Sequence, residues 1–559
     1  MRPLVSHTLV GAVVAAVVAG ITVGIMYSQC DKEPQPTPTP PSQPTPPPPP
    51  PPTMAPTSST PPPPLIDPMR PAYHYTPKIG WVNDPNGLVY YKGEYHLFYQ
   101  YDFESIKHGN MSWGHAVSTD MVHWTELPLA ISYTDEEQIF SGSAVVDSTC
   151  SSGLCASRDT PVLIATYTSY KQHVETEGKW KDRHIQSQHI ASSTDLGRTW
   201  TKYKNNPVLD RNEAEFRDPR VQRLEDGSWL LLVQMSELHQ LQFYKSTDLI
   251  HWGEPISTFG PTGIVEGVWE CPDMFPLAVD GDPKNIKWVL IININPGNRI
   301  IGSAGQIFIG DFDGTSFKND GDYDWLDWGM DNYATITWDN APNGERYSIG
   351  WMSNWAYTEL TPTTSSTKFR NTFTTPRKLQ LKTIGGKVRL TQMPVNYLDA
   401  IRLGPVLQAD KVTVKDAVHG DNIRGRAVDI EVVFTNVDAT EFGVKVHAGE
   451  GQETLVGFEV ATKRAFVDRT KSGKVDFHEK FADSRHWAPF ELQDAKTLKL
   501  RVLVDHGSVE AFFGEGEIAI TDVVFPDPSK DSIQFYAKGG SVVIDSYSVW
   551  QMDKTNNLS

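Results

Sequence analysis

Cysteine is scarce in this chain: four residues among 559, at spacings that form neither a disulfide scaffold nor a zinc site. Clusters of lysine and arginine are missing too. With a formal charge of −18 the sequence offers no phosphate-binding patch, which argues against nucleic acid as a partner. No His-x-x-x-His helix is evident and no Gly-rich loop joins a strand to a helix, so neither a metal nor an organic cofactor is expected. Long amphipathic helical patterns are almost absent beyond residue 70, which leaves an all-β fold as the expectation.

The chain opens on an uncharged, nearly all-apolar run from Leu9 to Tyr27, with Arg2 before it and Asp31 after it. As a helix it would span roughly 28 Å at ~1.5 Å per residue, close to the thickness of a bilayer core. It exceeds a usual signal-peptide core and no clear small-x-small cleavage site follows. Residues 1–30 therefore read as a signal anchor, with a cleaved signal peptide as the alternative. Both export the remainder to the cell surface or the medium. Residues 31–68 are rich in Pro, Thr and Ser, including the unbroken run Pro46 to Pro52, and read as an extended stalk without a core. Sequons at Asn110 and Asn557 fit export weakly. Cys150 and Cys155 flank a short turn and could pair, Cys30 ends the apolar run, and Cys271 is expected as a free thiol used in packing.

Strand signals recur at Tyr95 to Tyr101, Val162 to Tyr167, Trp229 to Met235, Trp288 to Ile294 and Tyr347 to Met352. An internal repeat accompanies them. Ser118-Thr119-Asp120 closes on Trp124, Ser193-Thr194-Asp195 on Trp200 and Ser246-Thr247-Asp248 on Trp252, with a divergent copy from Gly310 to Phe317. Strand-rich units repeating in this way point to propeller blades, and the Ser-Thr-Asp segments to turns within them. Beyond about Val395 the strands become short and alternating and the Trp-closed repeat stops, which suggests an antiparallel β-sandwich. The expected domains are a propeller over 69–395 and a sandwich over 396–553.

Three carboxylates stand beside prolines in turn-like settings: Asp84 in Trp81-Val82-Asn83-Asp84-Pro85-Asn86-Gly87, Asp218 in Arg217-Asp218-Pro219 and Glu270 in Trp269-Glu270-Cys271-Pro272. Each alone reads as a turn. Together they suggest a carboxylate site, because cleaving a glycosidic bond needs an acid on the leaving oxygen and a carboxylate on the opposite face of the sugar. Converging propeller strands let acids far apart in sequence meet.

These segments, with Phe140-Ser141-Gly142-Ser143 and Val504-Asp505-His506-Gly507-Ser508-Val509-Glu510, resemble glycoside hydrolase family 32, the invertases, exo-inulinases and levanases. The resemblance covers most of the chain beyond residue 70. It implies a five-bladed β-propeller followed by a C-terminal β-sandwich. It makes Asp84 the nucleophile that forms a covalent fructosyl intermediate, Glu270 the acid/base and Asp218 the transition-state stabiliser. Asn83, Gln100, Ser141, Arg217 and Asp327 become substrate-binding candidates, together with Trp81, His108, Trp113, Phe140, Trp351 and Trp355 around the pocket. For the tryptophans the competing role is core packing. His108-Gly109 replaces a Trp-Gly found in many relatives, so His108 is either a pocket wall or an exposed loop residue. The implied activity is retaining, exo-acting hydrolysis of terminal fructosyl units of inulin, levan or sucrose, needing no cofactor. The alternatives are a fructosyltransferase and a surface sugar-binding propeller without catalysis; the latter fits poorly, because all three acids are present.

Overall fold

The computed structural model describes residues 67–555, apart from short interruptions at 158–159, 173, 177–178, 182–183, 297–301, 365 and 495. The expected anchor and stalk, Cys30 and the Asn557 sequon lie outside the described residues. Among those described, no helix is long and apolar enough to cross a membrane.

Five antiparallel sheets follow one another from Gly80 to Pro394, opening with the strands Gly80–Tyr91, Gln138–Asp147, Phe216–Arg223, Val268–Ala278 and Tyr333–Thr337. These first strands touch their neighbours in a closed ring, the fifth meeting the first. Two further contacts seal the ring: Phe369–Arg370 pairs in parallel with Gly80–Trp81, and the Tyr90 N–H donates to the Asp339 carbonyl. Closure spares the molecule an open stack of sheets.

Side-chain alternation joins the blades. In Trp229–Met235, Leu230 and Leu232 pack with Trp269, Met274 and Leu290 of the fourth sheet, whereas Leu231 and Val233 pack with Val145 and Ile164 of the second. Covered on both faces, this strand reads as a continuous apolar run. Burying each such side chain stabilises the fold by roughly 1.5–3 kcal/mol.

The Ser-Thr-Asp repeats connect the third and fourth strands of blades 1 to 3. The Asp120 carboxylate accepts the N–H groups of Val122 and His123, Asp248 accepts those of Ile250 and His251, and Asp195 accepts that of Thr199. Each closing indole donates to a carbonyl three residues back, Met121, Gly197 or Leu249. Asp313 accepts Thr315 and Ser316 at the matching place in blade 4.

Two expectations change at this level. The Trp81–Gly87 segment and its two counterparts are not turns but parts of the first strands of blades 1, 3 and 4. Each strand slips register against its partner, between Val82 and Pro85, Arg217 and Arg220, and Glu270 and Asp273. A bulge accommodates Pro219 and Pro272, whose missing N–H then breaks no ladder bond. The sequence also shows an apolar, aromatic, strand-like run from Val89 to Tyr101, and it is two strands, split at Lys92-Gly93 where both φ angles are positive.

From Arg402 to Met552 two six-stranded sheets enclose a core of Val, Ile and Phe, including Val432, Phe434, Phe442, Val502 and Phe535. This sandwich is bound to the propeller by buried charge. Asp505 accepts the N–H groups of Ala72 and Tyr73 and bonds His74 Nδ1 at 2.8 Å, while Glu510 takes His74 Nε2 at 2.8 Å and Arg377 at 2.5 Å. Asp331 of the propeller pairs with Arg469 of the sandwich at 2.6 Å. The late Val504 to Glu510 marker is therefore a clasp between domains. Cys150 and Cys155 are disulfide-bonded, with Cα atoms 5.7 Å apart, and Cys271 is free and buried.

Candidate active site

The bulges decide where the acids point. In blades 1, 3 and 4 they carry or border Asp84, Asp218 and Glu270, and in blade 2 the slip between Ile139 and Gly142 carries Ser141. Asp218 (φ 63°) and Cys271 (φ 43°) adopt the left-handed conformation there. A non-glycine residue in that region costs on the order of 1–3 kcal/mol and persists only where its surroundings hold it. Here they do. The Asp218 N–H donates to Thr168 Oγ1, and Ser143 Oγ is bonded to both the Pro219 carbonyl and the Val221 N–H, tying blade 2 to the bulge of blade 3. Gly142 is required beside them, because a Cβ would meet the Thr166 carbonyl oxygen at 2.0 Å.

The three acids share one cavity of about 440 Å³. A larger cleft of about 550 Å³ near Trp328 and Trp487 contains none of them. Asp84 accepts hydrogen bonds from Ser141 Oγ (2.6 Å), Asn83 Nδ2 (3.1 Å) and the Cys271 thiol (3.3 Å). The Cys271 N–H donates to Asp218 Oδ2 at 2.8 Å, so one residue touches two of the acids. Glu270 accepts from Arg217 Nε at 3.1 Å and from the Tyr333 hydroxyl. Arg217 also bonds Glu215 and, at 3.3 Å, Gln186.

Burial raises the Asp218 pKa to about 7; the neighbouring Arg217 opposes the rise, while Glu270 and Asp84 add to it. Asp84 is also pushed above the usual carboxylate range by burial and by Glu270, against the hydrogen bonds from Ser141, Asn83 and Cys271. Burial and the surrounding acids lift the Cys271 thiol well above its ordinary value, so it stays a protonated donor. The site thus combines carboxylates that resist ionising together with a cation and fixed donors, an arrangement suited to moving protons and stabilising a positive sugar centre.

Of the remaining candidates, Asn83, Gln100, His108, Phe140, Ser141, Arg217 and Trp355 line the cavity. His108 is exposed and stands edge-on to Trp355 with ring centroids 5.2 Å apart, so it is both a loop residue and part of the wall. Trp81, Trp113 and Trp351 are fully buried behind the lining. Trp81 donates to Asn83 Oδ1 and packs on Trp355; Trp113 donates to the Phe140 carbonyl. They support the wall and do not form it. Asp327 is a correction: it lies outside this lining, in the domain interface, accepting from Arg377, Asn332, the Gly329 N–H and both the N–H and hydroxyl of Thr521. Those bonds explain why a carboxylate is needed there.

Sequence reasoning missed Tyr333, Glu215, Gln186, Gln138, Tyr170, His184 and Asn295. Tyr333 starts the first strand of the fifth blade, level with the acid-bearing bulges of the others, a placement that only the fold reveals.

Models of the glycosyl hydrolases family 32 N-terminal and C-terminal domains match residues 74–394 and 399–551. The chain is 41% identical over 498 residues to a levanase of Bacillus subtilis (strain 168), covering 87% of this chain and 70% of that protein. It is 36% identical over 520 residues to an extracellular exo-inulinase of Aspergillus awamori, covering 88% and 96%. A crystal structure of exo-inulinase from Aspergillus awamori superposes with a TM-score of 0.82 at 35% identity, covering 88% of this chain and 99% of that one. On these matches, and with a five-bladed propeller joined to a β-sandwich, the chain belongs to glycosyl hydrolase family 32.

Proposed function

We propose that the protein is a retaining, exo-acting β-fructofuranosidase that releases terminal fructosyl units from inulin, levan or sucrose. The observation that carries this reading is the convergence of Asp84, Asp218 and Glu270 on one cavity, each with its own hydrogen-bond partners. Asp84 attacks the anomeric carbon and becomes esterified to fructose. Glu270 protonates the departing glycosidic oxygen, then takes a proton from the water that releases the sugar. Asp218 holds ring hydroxyls, and its hydrogen bonds to them strengthen as positive charge develops at the anomeric carbon. The relatives named levanase and exo-inulinase support the substrate class.

The test is fructose release from sucrose, inulin and levan by the parent, Asp84→Asn and Glu270→Gln proteins. Loss of the acid/base should lower kcat roughly 10²- to 10⁴-fold, and loss of the nucleophile at least as much. NMR of the first product should show a retained anomer. Equal release from all three proteins, or an inverted anomer, would sink the mechanism.

Residues 69–395 form the catalytic domain in this reading and 396–553 the accessory one. Export is supported by the extracellular relative and by the Cys150–Cys155 disulfide. Leu9 to Tyr27 then serves as the membrane anchor, and recovery from the medium of soluble protein lacking the N-terminal segment would argue for cleavage instead.

A further inference from the structure

The cleft of about 550 Å³ opens where the propeller meets the sandwich and shares no lining residue with the catalytic cavity. Trp328 and Met330 form its propeller side. The edge strand His486–Pro489 of the second sandwich sheet forms the other, with Arg464 from the strand beside it. Backbone donors fix the two sides together: the Trp328 N–H bonds the Ala519 carbonyl at 2.8 Å and the Met330 N–H bonds Asp522 Oδ1 at 3.1 Å. The volume is that of a small-molecule site, ~300–1,000 Å³. Fructoside cleavage makes no use of it.

Three polar groups in the cleft are left open. Both Asp522 oxygens lie 2.7 Å from His486 Nδ1; a carboxylate accepts, so Nδ1 carries the proton and Nε2 remains an acceptor. His486 is only 7% exposed, and its Nε2 has no partner among the described residues. A buried acceptor facing a cavity calls for a donor. Arg464 and Lys480 are the other two, neither holding an ion pair among the described residues, and the Arg464 guanidinium stands 5.7 Å from the centre of the Trp487 ring. Arg485, by contrast, is committed to Glu441 and Asp468, at 2.7 Å each. The one carboxylate in the lining is Asp483, which is exposed and accepts from Ser484 Oγ. In a chain of net charge −18, two unpaired cations around a concave site reverse the local sign, and the low-dielectric walls concentrate their field.

These groups ask for different things of one ligand. Arg464 and Lys480 match an oxyanion, the Trp487 indole matches a ring carrying C–H groups, and His486 Nε2 matches a hydroxyl donor. A neutral fructose unit would leave the cations unmatched, and a bare inorganic anion would leave the indole and the imidazole unmatched. We infer that this cleft binds an acidic, hydroxyl-bearing ring compound, a carboxylate or phosphate on a sugar-sized ring, chemically distinct from the neutral substrate of the catalytic cavity. Because His486 is held by Asp522, which also takes the Met330 N–H, occupancy tightens the joint between the domains.

Calorimetric titration of the parent protein at low salt with galacturonate, glucose 6-phosphate, neutral galactose and inorganic phosphate, read together with Tm, tests the inference. At least one acidic sugar should bind and raise Tm. Galacturonate alone would identify a carboxylate ligand, and glucose 6-phosphate alone a phosphate ligand. In the double variant Arg464→Ala/Lys480→Ala the affinity should fall roughly tenfold or more, while fructose release from sucrose changes less than about twofold. Binding of neither acidic sugar, equal affinity for galactose or for inorganic phosphate, or full affinity in the double variant would overturn the site. So would competition with sucrose, which would put the acidic sugars in the catalytic cavity. The titrations and the competition use the parent protein, so they decide the matter even if the double variant folds poorly.

Discussion

Cys271 shows how much a single residue can carry when it sits on a bulge. Its backbone N–H is committed to Asp218 and its thiol to Asp84, so substitution of the side chain touches only the second contact. Cys271→Ala removes a donor that favours the Asp84 anion. The Asp84 pKa should rise, and the acidic limb of the kcat/KM–pH profile should move to higher pH; an unmoved limb would deny the thiol that role. Asp218 supports a second prediction. Its folded pKa of about 7 lies above the ordinary carboxylate value near 3.9, so the fold binds that proton more tightly than the unfolded chain. The stabilisation is full below about pH 4 and is lost as pH rises through about 7. Asp218→Asn should therefore raise Tm more at pH 7.5 than at pH 4.5, while activity falls. Equal shifts at both pH values would contradict the assignment. At this scale the acids were legible in the sequence because each stands in a distinctive motif. The partner roles of Cys271 and Tyr333 were not, since a thiol beside proline and a strand-opening tyrosine both read as packing. Asp327 misled because its interface partner Thr521 lies 194 positions away.

Among the elements, the bulged first strand is the unit that brings Asp84, Asp218 and Glu270 to one cavity. Proline, asparagine and glycine favour bulges and turns for the same backbone reasons, so local sequence could not separate the two. The strand Trp229–Met235 matches its sequence expectation end to end, because both its faces are buried and turn residues bound it. The Ser-Thr-Asp turns were legible through repetition, which marks a structural device more clearly than any single copy. Their acids do not line the cavity. Asp248→Ala should lower stability by ~1 kcal/mol through the lost turn hydrogen bonds, with kcat/KM on sucrose unchanged. A fall in activity without a fall in stability would contradict a purely structural role.

Across the whole molecule, the clasp between propeller and sandwich is the part that sequence could not reveal, as its partners are brought together only by the completed fold. Burial alone would lower the His74 pKa, but its hydrogen bonds to Asp505 and Glu510 raise it to about 9. Its contribution to stability is full below about pH 6.5 and is lost as pH rises through about 9. Despite burial, Arg377 and His74 hold Glu510 down at about 2, so that contribution is full above its ordinary value near 4.3 and is lost as pH falls through about 2. Arg377→Ala would leave Asp327 and Glu510 buried without their cation, and a loss of roughly 3–5 kcal/mol is expected in denaturant unfolding. A loss below ~1 kcal/mol would mean that water or His74 replaces the guanidinium.

The same clasp also joins the two ends of the folded body. The Thr555 N–H donates to the Ala72 carbonyl at 3.0 Å and its hydroxyl to the Tyr73 carbonyl, one or two residues from His74 and beside the two N–H groups that Asp505 accepts. In topological terms the chain from Ala72 to Thr555 is nearly a circle, its first and last residues adjacent. Neither end can fray without loosening the other, and a pull on the entering segment is shared by both domains, since Asp67 accepts from Thr367 of the propeller and the Pro68 carbonyl from Arg426 of the sandwich.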